Sequence, residues 1–201
     1  MTQNYDITSD YLQNLLSRSE TLNLEFKREW YKLNDSNQHV RRAAKHEMIR
    51  DILALANGNA LTAGETAYLI IGASDERDEN DKRELFDIVP SDIDEKSVLD
   101  IINASCSPTL ETLHKKVIEL DGKRIAIIII PPSPHIHEST KFLRTKDHDG
   151  KTKSYNKYAV FIRQGDKVKI ASAKDRSHIL EMKKLKLSKF NPLLLGSGIG
   201  A

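Results

Sequence analysis

Two apolar runs joined by Asp121-Gly122 constrain this chain more than any other feature in it. Lys116-Val-Ile-Glu-Leu120 and Lys123-Arg-Ile-Ala-Ile-Ile-Ile-Ile130 flank that dipeptide. Asp-Gly between strands predicts a two-residue type I′ turn, whose twist matches that of the strands it joins. Ile125 to Ile130 shows no polar alternation, which predicts a central strand covered on both faces. A strand buried on both sides needs a layer above and a layer below.

Helical patterns are present to supply those layers. Ser9–Ser17 reads as a short helix capped by Thr8 or Ser9. Asn37–Ala56 is the clearest helix: Ile49, Ile52, Leu53 and Ala56 fall at i, i+3, i+4 and i+7, and Val40, Ala44 and Met48 extend the stripe. Asn57-Gly-Asn stops it. Ser91-Asp-Ile-Asp94 is a capping-box pattern opening a helix through Ile102, with Cys106 late in the same segment. Ser172-Ala-Lys-Asp175 is a second such box, starting a helix to about Leu187.

The remaining strands follow from period-two patterns and turn residues. Leu22, Leu24 and Phe26 alternate with polar residues in a strand over Leu22–Trp30, and Thr66–Gly72 is a shorter, more buried one. Tyr158–Arg163 and Lys167–Ala171 form a hairpin around Gln164-Gly165-Asp166. Pro131-Pro-Ser-Pro134 ends the central strand, because proline cannot donate to the ladder. Asp75–Pro90 and Thr145–Ser154 lack periodicity and read as exposed loops. These elements in this order predict a single α+β domain: a mostly antiparallel mixed sheet with flanking helices. Residues 1–16 form an N-terminal arm, 17–187 the domain and 188–201 a tail or linker. The tail's Gly-x-Gly-x-Gly spacing has no following helix, so it is no dinucleotide fingerprint.

At 201 residues, 39% hydrophobic and 30% charged, the chain is of a size and composition for one globular domain with a real core. One cysteine, Cys106, excludes an intramolecular disulfide and fits a reducing compartment. Met1–Asp10 is polar, without a secretory pattern, so a cytoplasmic protein is expected. The net charge of +2 conceals an asymmetry. Ser74–Asp100 holds 11 acids against 4 bases, and Ser139–Phe190 holds 15 bases against 5 acids. A basic half of that size is either a nucleic-acid footprint or a solvated lysine-rich surface.

Chemistry concentrates in Glu20-Thr-Leu-Asn-Leu-Glu25-Phe-Lys27 and in Asp75. Alternation puts Glu25 and Lys27 on one strand face, with Leu24 and Phe26 on the other. Three acids and a lysine at strand ends suit a magnesium or manganese site for phosphodiester cleavage, since hard cations prefer carboxylate oxygen. The same residues also read as a surface ion pair and a loop cap. His135-Ile-His137-Glu138 carries zinc-ligand residues without a second ligand group, and an exposed loop is the alternative. Trp30, Tyr31, Tyr155 and Tyr158 are either base-stacking or core residues.

In order along the chain, these pieces resemble the Schlafen-type Alba-like domain (the Schlafen AlbA family). The matching features are Glu20-x4-Glu25-Phe-Lys27, a helix ending Ala56-Asn57, Leu69-Ile-Ile-Gly-Ala-Ser-Asp75 and Ile127–Pro132. Val160-Phe-Ile-Arg-Gln-Gly165 follows, then Ala171-Ser172 and a helix. The resemblance covers roughly Ser17 to Lys184. It implies a nucleic-acid-binding α+β domain, RNA before DNA. In members that are endoribonucleases it implies a metal held by two glutamates and an aspartate, here Glu20, Glu25 and Asp75, with Lys27 as a nearby cation. Arg163, Lys167, Lys169, Lys141 and Arg144 would grip the backbone without reading sequence. The family's glycine pair before the second strand is represented only by Gly64. Two-lobed members clamp RNA, so a single lobe implies a dimer or a second domain. Two other functions are consistent with the resemblance: a non-catalytic module of a regulator or defence protein, and an ATP sensor. No P-loop pattern supports the latter.

Overall fold

The computed structural model describes residues 5, 7–146 and 150–190. In chain order, helix α1 (Ser9–Leu16) leads to strand β1 (Leu24–Lys27), helix α2 (Gln38–Asn57) and strand β2 (Ala67–Ile71). Strands β3 (Ala73–Arg77) and β4 (Arg83–Leu85) precede helix α3 (Glu95–Asn103) and the short strand β5 (Cys106–Ser107). Then come β6 (His114–Leu120), β7 (Lys123–Ile130), β8 (Glu138–Ser139), β9 (Leu143–Lys146) and β10 (Thr152–Tyr155). Strands β11 (Phe161–Gln164) and β12 (Lys167–Ile170) lead into helix α4 (Ala173–Phe190). This is the predicted α+β class.

The main sheet has the order β1-β2-β7-β6, with β1 parallel to β2 and the other pairs antiparallel. Asp121 and Gly122 both have positive φ, 52° and 70°, as a type I′ turn requires. The isoleucine run is divided by the pleat. Ile125, Ile127 and Ile129 join Leu12 and Leu15 of α1 in one core. Ala126, Ile128 and Ile130 join Met48, Ile49, Ile52 and Leu53 of α2 in the other. The absence of polar alternation is thus accounted for by a helix on each face.

Helix ends follow the capping residues. Thr8 Oγ1 accepts from Tyr11 N at 3.2 Å, and Asn37 Oδ1 accepts from His39 N at 2.9 Å. Ser172 and Asp175 form the expected reciprocal box at 2.9 and 3.2 Å. The other predicted box is displaced. Asp94 caps α3, accepting from Ser97 N at 2.8 Å, while Ser91 sits in a 3-10 turn over Pro90–Asp92. Proline favours that turn's first position, where its missing N–H costs nothing.

Three further expectations are corrected. Asp75–Pro90 is not all loop: β3 and β4 form a hairpin closed by Asp78, whose Oδ1 accepts from Asn80 N and Lys82 N. Its two buried positions are Ala73 and the polar Arg83, so its sequence carries no apolar period. Thr145–Ser154 contains the β9–β10 pair instead of a plain loop. Cys106 lies past the end of α3, in β5, where it is buried. The tail at 191–201 lies outside the described residues.

Helix α4 closes the domain through a buried lysine. Lys183 Nζ donates to Ala56 O at 2.9 Å and Ser133 O at 3.0 Å, meeting a carbonyl in the last turn of α2 that lacks an intrahelical partner. Gly64, with φ of 78°, lets α4 approach: an added Cβ would stand 3.4 Å from Lys183 Cα. This glycine therefore serves helix packing.

Candidate functional site

The Glu-x4-Glu spacing is a turn. Thr21 and Leu24 exchange backbone hydrogen bonds at 3.2 and 3.3 Å, folding Glu20 back along β1. Its Oε1 accepts from Phe26 N at 3.0 Å. Leu24 and Phe26 enter the core on the α1 side, so Glu25 and Lys27 project from the opposite face.

Arg163 of β11 reaches that face. Its Nη1 is ion-paired with Glu25 Oε2, and its Nη2 stands 3.7 Å from Glu20 Oε2. Its side chain is only 1% exposed, against 16% for Glu20 and 13% for Glu25. Two asparagines fix β11 there: Asn57 Nδ2 donates to Phe161 O at 2.9 Å, and Asn59 Nδ2 to Arg163 O at 3.2 Å. Burial raises the pKa of Glu20, aided by Asp75 and opposed by Phe26 N–H and by Arg163. Burial lowers that of Arg163 against the attraction of Glu20 and Asp166.

Lys27 anchors a second set of charges. Its Nζ lies 3.1 Å from both Glu47 and Asp51 and 3.8 Å from Glu25. Asp51 is buried, and also accepts from Tyr31 Oη at 2.9 Å and Arg50 Nε at 2.8 Å. Burial pushes its carboxyl upward, but Lys27 and Arg50 outweigh it and hold the pKa below the ordinary carboxylate range. Burial likewise opposes the charge on Lys27, yet Asp51 and Glu47 raise its pKa. Glu47 and Asp51 were not among the expected site residues. The available signal was an aspartate inside the most apolar stretch of α2.

Asp75 stands exposed on β3, beyond Gly72. Arg83, stacked 3.7 Å over the Phe26 ring, donates to Ser74 O at 2.9 Å and Arg18 O at 3.0 Å, and also to Asp75 O. That guanidinium ties the start of β3 to the segment leading into Glu20. Among the described residues, no group of three or more His, Cys, Asp or Glu side chains is arranged to hold a metal ion. The fold brings Glu20 and Glu25 together on Arg163, with Asp75 close enough to bear on Glu20.

The expected phosphate grips divide. Lys141, Arg144 and Lys167 are exposed, whereas Lys169 pairs with Asp175 at 3.3 Å. Arg163 is buried and presents no guanidinium to solvent, so a direct grip on phosphate by this residue is corrected. The histidine pair is not a zinc site in this arrangement. His137 is buried with Nδ1 at 2.7 Å from Pro108 O and Nε2 at 2.8 Å from Ser133 Oγ, engaging both nitrogens. Of the aromatics, Tyr31 is core, Tyr155 packs edge-on against Phe161, Tyr158 is exposed and Trp30 is half-buried.

A family model described as Schlafen, AlbA_2 matches residues 20–172. The chain belongs to the Schlafen AlbA_2 family. Membership associates this domain with nucleic acid. Among solved structures, the DIP2311 protein of Corynebacterium diphtheriae is similar over 87% of this chain, with 14% identity and a TM-score of 0.51. This chain spans 28% of that protein's length, and the likeness is one of fold. The N-terminal domain of a RecG-related protein from Nitrosomonas europaea matches 78% of this chain and 86% of its own, at 15% identity and a TM-score of 0.42. No curated protein matches. Among the described residues, no helix of this Schlafen-type domain is long and apolar enough to cross a membrane.

Proposed function

We propose that this Schlafen-type domain binds RNA and cleaves its phosphodiester backbone with the aid of magnesium or manganese. The observation that carries this reading is the convergence of Glu20 and Glu25 on one positive charge, with Asp75 near enough to raise the pKa of Glu20. The donor types, three carboxylates with two of them shielded from solvent, are those a hard divalent ion takes, but with Arg163 between the glutamates they are not gathered around one. Glu20, Glu25 and Asp75 would hold it, and it would supply polarisation of the phosphate and activation of water. Arg163 neutralises the glutamates in its stead, and has to yield for an ion to share them.

The chain's own residues do the rest. Lys27, kept protonated by Asp51 and Glu47, places a fixed ammonium beside the acids to offset charge building on the phosphate. Lys141, Arg144 and Lys167 bind backbone phosphates without sequence preference.

A second reading, a non-catalytic nucleic-acid-binding module, is favoured by the buried Arg163 itself. A carboxylate pair already neutralised by an internal arginine is a stable structural element without any ion. One experiment separates the two: incubation with transfer RNA and with single- and double-stranded DNA, in manganese or chelator, beside Glu20→Ala/Glu25→Ala. Cleavage lost on chelation and in the double variant supports the enzyme. Salt-sensitive binding with no cleavage in manganese selects the module.

A further inference from the structure

We propose that the cleft between the Trp30–Lys32 segment and the first turns of α2 seats one unpaired nucleotide of a single-stranded nucleic acid, its base against Trp30. The proposal rests on the nucleic-acid reading and assigns the kind of strand the domain accepts.

The cleft has a volume of about 620 Å³, within the ordinary range for ligand pockets. Trp30 forms one wall, and Val40, Ala43 and Ala44 of α2 face the same space. An aromatic wall opposite small aliphatic side chains suits a flat ring inserted edgewise, which a paired base inside a duplex cannot do. Trp30 is held for this. Its ring packs at 5.1 Å, edge-on, against Tyr31, whose hydroxyl is bound to buried Asp51. The indole Nε1 is itself buried without a hydrogen-bond partner, so the ring presents its carbon face and not its N–H.

The charge around the cleft fits a phosphate chain. Lys146 of β9 lines it, and Arg144 lies on the same exposed face of that strand. Arg144 N donates to His46 Nδ1 at 3.0 Å, which joins β9 to the outer face of α2. Arg42 and Lys45 also crowd His46, so a basic strip runs from this face to the cleft. Of the acids at the rim, Glu29 is paired with Lys32 at 3.1 Å and Glu47 with Lys27 at 3.1 Å. Lys27 and Asp75 line the same cleft, so a base seated there brings its neighbouring phosphate to the candidate acids.

Trp30 is the only tryptophan in the chain, so its emission reports on this cleft alone. The test titrates the whole protein with labelled oligouridylate, oligothymidylate, an abasic chain of equal length and a duplex, reading label anisotropy and Trp30 emission together. The expected result is saturable quenching by the single strands and none by the abasic chain or duplex. Ala43→Phe, which fills the cleft, should weaken single-strand binding roughly tenfold, the worth of one stacked base. Single strands that bind by anisotropy while Trp30 emission stays unchanged would overturn the proposal and leave the nucleic-acid reading standing. Equal quenching by the duplex, or a folded Ala43→Phe variant that binds as well as the parent, would also overturn it. No anisotropy change with any strand at low salt would bring down both.

Discussion

Arg163 and Glu25 lie far apart in sequence, yet the guanidinium of one closes on the carboxylate of the other inside the domain. Glu20 shares the same arginine, so one buried cation joins β11, β1 and the turn before it. Charges this shielded must be compensated locally, because water no longer does it.

Arg163→Ala therefore leaves two partly buried carboxylates without their cation. A loss of about 3–5 kcal/mol of stability is expected, read from urea denaturation. Adding Glu25→Ala should recover part of it, a coupling that a double-mutant cycle measures. Strictly additive losses would show that the pair contributes nothing as a pair.

Gly72 is the hinge that carries the chain from β2 to Asp75. Its φ is 100°, and an added Cβ would stand 2.7 Å from Phe86 O and 2.9 Å from Ile125 Cδ1. Gly72→Ala should cost on the order of 1–3 kcal/mol and shift β3. If Asp75 contributes to cleavage, the variant loses cleavage while RNA affinity holds within a few-fold. A variant as stable and active as the parent would refute the hinge.

Burial lowers the His137 pKa to about 4 from 6.5, against the pull of Pro108 O. A histidine held neutral in the fold favours the native state fully above 6.5. That contribution is lost as pH falls from 6.5 through 4, because the unfolded chain binds the proton first. The upper bound is roughly 3 kcal/mol. Stability should decline across this window, and His137→Gln should flatten the decline; an unchanged slope in the variant would exclude His137 as its source.

Asp51 shows the same sign from the carboxylate side. Its folded pKa is depressed below 3.8, so its contribution is present above that value and lost as pH falls through the folded pKa. Asp51→Asn should destabilise by about 3 kcal/mol at neutral pH, since Lys27 and Arg50 lose a buried partner. The gap between variant and parent should narrow below pH 3.8. A gap independent of pH would mean that packing, not charge, accounts for the loss.

The sequence by itself determined the frame. Asp121-Gly122 and the isoleucine run prescribed the central hairpin and its two covered faces, and the Thr8, Asn37 and Ser172 caps set three helix starts. These are local signals, decided by dihedral preference and periodicity within a few residues. The hairpins over Ala73–Leu85 and Leu143–Tyr155 escaped because their few buried positions include the polar Arg83 and Thr145, so no apolar period marks them. Glu20 and Glu25 were legible as a pair. That their partner is Arg163, and that Lys27 turns instead to Glu47 and Asp51, was decided only by the packing of α2 and β11 onto β1. Which charges meet depends on contacts between distant segments, and low dielectric then makes those contacts obligatory.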